Sequence, residues 1–107
     1  MALAENHLIA LLPRRDRASL LAACESVQLD LGTVLCEPGE ATRHVYFPND
    51  CSISLVTVVE GELGLEVGMV GREGMLGAQL ALGVSAIPLH ALVQGAGTAR
   101  RIAAAPF

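Results

Sequence analysis

The sequence predicts a single, mainly β domain over residues 1–107, a jelly-roll or β-roll preceded by short helices. Three observations carry this reading. Short apolar–polar alternations recur about every 8 to 12 residues with turn signals between them, the pattern of a sandwich or a sheet rolled on itself. The only well-formed helical periodicities come before Glu25. The apolar fraction is 52%, yet there is one Tyr, two Phe and no Trp, so the core has to be aliphatic. At 107 residues the chain has room for one small core and none for a sensor plus a separate effector domain.

Leu8, Ile9, Leu11 and Leu12 follow Asn6, a residue suited to capping a helix, and Pro13 interrupts them. Pro13 then stands where a second helix starts, with Ala18, Leu21 and Cys24 on one stripe and Leu20 beside it. From Val27 the period falls to two: Val27, Leu29 and Leu31 alternate with Gln28 and Asp30, a half-buried strand that Gly32 ends. Thr33 to Cys36 runs into Glu37-Pro38-Gly39-Glu40, a strong turn, because Pro presets φ and Gly accepts positive φ.

His44 to Phe47 is the next strand, closed by Pro48-Asn49-Asp50. Ser52 to Val59 then pairs as a hairpin, across Glu60-Gly61, with a returning strand whose inward face is Leu63, Leu65, Val67 and Met69. Met75 to Leu82 suits one helical turn across the mouth of the roll. Ile87, Leu89, Ala91 and Val93 alternate again, so His90 faces away from them, and Gly95-Ala96-Gly97 turns the chain into a last strand, Thr98 to Ala103.

Composition narrows the function. Mean hydropathy is +0.51, high enough that some apolar surface is expected to meet a partner. No run approaches the ~18 apolar residues of a membrane span, so no membrane partner is expected. The first residues lack a basic segment followed by a long apolar one, which leaves a cytoplasmic location as the expectation. Cys24, Cys36 and Cys51 are odd in number and widely spaced, reading as small apolar residues in a reducing compartment.

Net charge is −4 and every base is an arginine. An acidic chain whose densest basic cluster is Arg14, Arg15 and Arg17 is poorly suited to hold DNA phosphates, and specific DNA binding by this chain alone is not expected. His7, His44 and His90 form no His-x-His pair of the cupin type, and Cys36, Cys51 and Ser54 have no adjacent base. No metal, cofactor or catalytic residue is therefore assigned, and no enzymatic activity.

The order of elements resembles the N-terminal, cyclic-nucleotide-binding-like effector domain of the Crp/Fnr family of bacterial transcription regulators. The resemblance rests on Leu12-Pro13 with Leu20-Leu21, on Leu31-Gly32 through Leu35, Glu37 and Gly39-Glu40, on Val45-Tyr46-Phe47-Pro48, and on Ser54-Leu55-Val56. Its last part is Glu66-Val67-Gly68 through Val70-Gly71-Arg72-Glu73-Gly74 to Gly77. It implies a roll of about eight strands and a regulatory role. It also implies a dimerisation helix and a DNA-binding domain, both absent from this chain, and a homodimer in the full-length context.

Members that bind cyclic nucleotides carry a Gly-Glu pair after this hairpin and, about ten residues on, an Arg followed by Ser or Thr; the Glu receives the ribose hydroxyl and the Arg the cyclic phosphate. Here Gly77 matches the glycine, but Ala78 stands for the acid, Pro88 for the arginine and Leu89 for the hydroxyl, and no charged residue occurs from Gly74 to Ala99. The expected function is therefore an effector-sensing domain degenerate for cyclic nucleotide. Its partner would be a small-molecule effector or a protein, and its candidate ligand-binding residues are Gly71, Arg72, Glu73, Gly74 and Gly77. The alternatives are a cupin-type enzyme and a pure protein-interaction module.

Overall fold

A computed structural model describes residues 5–104. Two helices, α1 (His7–Ala10) and α2 (Arg14–Ala23), precede seven strands: β1 (Glu25–Leu29), β2 (Val34–Cys36), β3 (His44–Pro48), β4 (Ser52–Val59), β5 (Glu62–Val70), β6 (His90–Gly95) and β7 (Gly97–Ala103). The strands form two antiparallel sheets. One has the order β1-β7-β3, the other β2-β6-β4-β5. The mainly β class and the roll expected from the sequence are what the chain adopts.

Two apolar clusters stabilise the roll. Between the sheets lie Leu29, Tyr46, Cys51, Ile53, Ala91, Val93 and Ala99, with Cys36 and Leu76. The second cluster, Ile9, Val45 and Phe47, takes in Leu20, Leu21, Met75, Leu80 and Ile102. β3 supplies both: Tyr46 enters the core between the sheets, while its neighbours Val45 and Phe47 point to the helices. Its residues from Val45 to Pro48 are all buried for that reason. Full burial of a side chain such as Ile53 or Ile9 contributes about 1.5–3 kcal/mol.

The helices form as expected, but less of them is buried. Asn6 caps α1 by accepting from the N–H groups of Leu8 and Ile9. No residue of α2 is fully buried; Leu20 and Leu21 are half-buried and Ala18 is exposed. The hairpin turn falls at Glu60-Gly61, where both residues take positive φ (53° and 81°). That pair of left-handed residues is what a two-residue turn matched to strand twist requires.

Three expectations are corrected. The alternating residues of β5 do not face the core: Leu63, Leu65, Val67 and Met69 are 57%, 72%, 53% and 50% exposed. β5 is an edge strand, and its register against β4 shifts twice, between Leu55 and Val56 and between Val56 and Val58. Each shift breaks the period-two relation between sequence and face. Leu31 lies in a turn beyond β1 and is also exposed. Ile87 and Leu89 precede β6 rather than belonging to it, and the described residues hold seven strands where about eight were expected.

Candidate functional site

The segment from Gly71 to Leu89 leaves β5 and crosses the end of the roll. Its first turn closes on itself: the Gly74 N–H donates to Gly71 O at 3.1 Å, and Glu73 Oε1 accepts from the Gly71 N–H at 3.2 Å. α1 then holds this turn. The His7 N–H donates to Arg72 O at 2.6 Å, and Asn6 Nδ2 donates to Gly74 O at 2.8 Å. Arg72 is exposed, and the ion pairs among the described residues, His90–Glu37 and Arg101–Glu25, do not include it.

Leu76 next bridges to β3, exchanging backbone hydrogen bonds with Tyr46 at 2.9 and 3.0 Å. A five-residue 3-10 turn, Ala78–Leu82, follows between two glycines in the left-handed region, Gly77 at φ 108° and Gly83 at φ 80°. Beyond it, Thr42 N–H donates to Ser85 O (2.8 Å) and Gly39 N–H to Ile87 O (2.9 Å). The crossing segment is thus fixed at both ends, with the 3-10 turn between glycines that permit backbone rotation.

Two recesses meet at this turn. On one side a cavity of about 10 Å3, room for a single water, is lined by Cys36, Thr42, Arg43, His44, Gly77 and Gln79 among others. Gln79 Nε2 donates to Thr42 Oγ1 at 2.8 Å across its rim. On the other side an apolar cleft of about 360 Å3 runs between the helices and the turn, lined by Leu8, Leu12, Leu20, Phe47, Met75 and Ala78 among others. Gln79 faces the cavity while Ala78 and Ala81 wall the cleft, so the turn separates the two.

The candidate residues therefore divide. Gly71, Arg72, Glu73 and Gly74 form the turn clamped to α1, and only Gly77 lines the small cavity. Thr42, Arg43 and Gln79 line it without a role assigned from the sequence, as does His44, which the sequence offered only as a possible metal ligand. The available signal was the short polar run Thr42-Arg43-His44 between a turn and a fully buried strand. Ala78 and Pro88 are exposed and Leu89 is half-buried. The base nearest the cavity comes from another segment, Arg43.

The remaining chemistry-bearing groups are scattered. His90 alternates with Ala91 and Val93 as expected, but it is covered, 8% exposed, with Nδ1 3.1 Å from Glu37 Oε1. Burial raises the thiols of Cys24, Cys36 and Cys51 above the ordinary value, and the neighbouring Glu40 and Glu37 add to this at Cys36. Thiols so placed are poor nucleophiles. Among the described residues, no three His, Cys, Asp or Glu side chains gather as a metal site would need, and no helix is long and apolar enough to cross a membrane.

A β-roll closed by a crossing segment with a short helical turn is the fold of cyclic-nucleotide-binding domains, and solved structures bear this out. The N-terminal domain of a transcriptional regulator from Streptomyces coelicolor A3(2) superposes with a TM-score of 0.75 at 19% identity, over 97% of this chain and 72% of that one. The sensor domain of the transcriptional regulator DNR from Pseudomonas aeruginosa gives 0.74 at 17%, over 92% and 67%. The regulatory domain of Toxoplasma gondii PKA, crystallised with cAMP, gives 0.75 at 18%, over 92% of this chain but only 37% of that one. At these identities the likeness is one of fold. No family model and no curated protein matches the sequence.

Proposed function

We propose that this chain is an effector-sensing, non-catalytic domain of a Crp/Fnr-like transcription regulator, and that its effector is not a cyclic nucleotide. The carrying observation is the 3-10 turn Ala78–Leu82, seated between left-handed glycines with a recess on either side. An effector or partner filling either recess contacts the turn, and one that displaces it alters the other recess. Such an element has the form of a two-state device, biased by whatever binds one arrangement more tightly.

Two features argue against a cyclic nucleotide. The cavity holds about 10 Å3, and the positions for the acid and the arginine are Ala78 and Pro88, the latter without even a backbone N–H. Losing a buried charged partner of a phosphate costs on the order of 2–5 kcal/mol, roughly 30-fold to several thousand-fold in affinity. Calorimetric titration with cyclic AMP and cyclic GMP at millimolar ligand tests this. No saturable heat is expected, and saturable binding in the low micromolar range would overturn the proposal. The nearest base, Arg43, lines the cavity, so binding abolished by Arg43→Ala would locate the error in the assigned charge positions.

A further inference from the structure

The cleft on the helix side of the 3-10 turn measures about 360 Å3, within the ~300–1,000 Å3 of sites that hold small organic molecules. Four elements wall it: α1 through Leu12, α2 through Leu20, β3 through Phe47, and the crossing segment through Met75, Ala78 and Ala81. Every residue that lines it is apolar. Water held there finds no side-chain partner, so an occupant that brings its own apolar surface is favoured over solvent.

A charge stands at the edge of this recess. The half-buried residues of α2 are Arg17, Leu20 and Leu21, spaced i, i+3 and i+4, so Arg17 belongs to the packed stripe of the helix, one turn before Leu20. The Arg17 N–H donates to Pro13 O at 2.8 Å, and Pro13 directly follows Leu12. Arg17 thus lies between two residues that line the cleft, Leu12 and Leu20. No acid answers it. The ion pairs among the described residues are His90–Glu37 and Arg101–Glu25. One turn away along α2 are Arg14, Leu20 and Leu21, while Asp16, adjacent in sequence, projects from another side of the helix. The crossing segment opposite carries no charged residue from Gly74 onward.

We propose that the cleft takes a single-chain carboxylate, its apolar tail among Leu12, Leu20, Phe47 and Met75 and its head group on the Arg17 guanidinium. A carboxylate matches that planar fork with two parallel hydrogen bonds. The tail lies against Ala78 and Ala81, on the face of the 3-10 turn opposite Gln79. The proposal names an effector for one of the two recesses and so rests on the sensing role proposed above.

Calorimetric titration of the purified chain with hexanoate, octanoate and decanoate, each kept below its micelle-forming concentration, is the test. One site per chain is expected, tightening about fourfold for each added CH2. Arg17→Gln is expected to weaken decanoate about tenfold, through loss of a charge-assisted pair, and to leave decanol, which has the same tail and no charge, unchanged. Arg15→Gln removes the same charge from an exposed position off the stripe and is expected to change nothing. Ala81→Phe fills the cleft from an exposed position and is expected to abolish binding, with thermal melts checking that each variant is folded. No saturable heat with decanoate, affinity indifferent to tail length, binding that survives Ala81→Phe, or equal weakening by Arg15→Gln and Arg17→Gln would each overturn the proposal. Self-association of the wild type that Ala81→Phe removes would overturn it too, by assigning the cleft to a second copy. Cyclic nucleotides are excluded on the other recess, so their titration and this one fail independently.

Discussion

Asn6 and Gly74 are 68 residues apart in sequence and joined by a 2.8 Å hydrogen bond from the Asn6 side-chain amide to the Gly74 carbonyl. The same amide donates to Pro48 O at 2.8 Å, while Asn6 Oδ1 accepts from the N–H groups of Leu8 and Ile9 at 2.9 and 3.3 Å. One fully buried side chain thus caps α1, ties the end of β3 to it and holds the glycine turn that opens the crossing segment.

Replacing Asn6 by Ala removes the cap and leaves the buried Pro48 carbonyl and the half-buried Gly74 carbonyl without this donor. The cap is worth ~1 kcal/mol, and a buried unsatisfied group ~1–3 kcal/mol. A loss of about 3 kcal/mol is expected in urea unfolding. Asn6→Asp keeps an acceptor for the cap but has no donor when ionised, so it should rescue little; recovery of most of the stability by Asp would show that capping alone matters.

Gly97 and Gly95 flank the link between β6 and β7, and their surroundings set different costs for a methyl group. A Cβ on Gly97 would lie 2.8 Å from the carbonyl carbon and oxygen of Asp50, which are backbone. One on Gly95 would meet Ser52 Oγ at 2.6 Å, an atom that rotates away. Gly97→Ala should cost about 2 kcal/mol, in the range of overpacking, and Gly95→Ala well under 1 kcal/mol. Equal unfolding midpoints for the two variants would contradict this.

The strands were legible where an apolar run is bounded by turn signals: Ser52 to Val59 is found at the expected bounds, and His44 to Phe47 gains only Pro48. Met75 to Leu82 is too short and too apolar for the sequence to assign, and the one helical turn that suits it is found as the 3-10 turn Ala78–Leu82. β5 was not legible, because an edge position and two register shifts depend on which strands become neighbours. The recesses at the 3-10 turn were equally hidden. The small cavity joins Thr42, Arg43 and His44 to Gln79, and nothing local to either stretch marks the other as its neighbour.

Gly77 combines φ 108° with close neighbours: an added Cβ would lie 3.1 Å from Val45 Cγ2 and 3.3 Å from Val45 Cα. The left-handed conformation alone costs a side chain ~1–2 kcal/mol, and Val45 is fully buried and has little room to move. Gly77→Ala should therefore lower stability by about 2 kcal/mol. Gly83→Ala shares the positive φ but has open space around its Cβ, so only the conformational cost remains. A Gly83 variant as destabilised as the Gly77 variant would remove Val45 from the account.

Asp50 gives the chain an acid-sensitive link between β7 and the turn after β3. Its Oδ1 accepts from the Thr98 N–H at 2.6 Å and from the Thr98 hydroxyl at 3.0 Å, and these bonds, the N–H first, hold the carboxyl below its ordinary value. A carboxyl with a lower folded than unfolded pKa binds protons less readily when folded. Its contribution is therefore complete above the unfolded value of about 3.9 and is lost as pH falls through the lower folded value. Asp50 is exposed, so water screens the effect and the contribution is modest. In urea unfolding followed from about pH 6 down to about pH 2, the stability gap between wild type and Asp50→Asn should be widest at the upper end and narrow steadily below about pH 4. A gap that stays constant across that range would mean that the ionised carboxylate contributes nothing at Thr98 beyond what a neutral amide supplies.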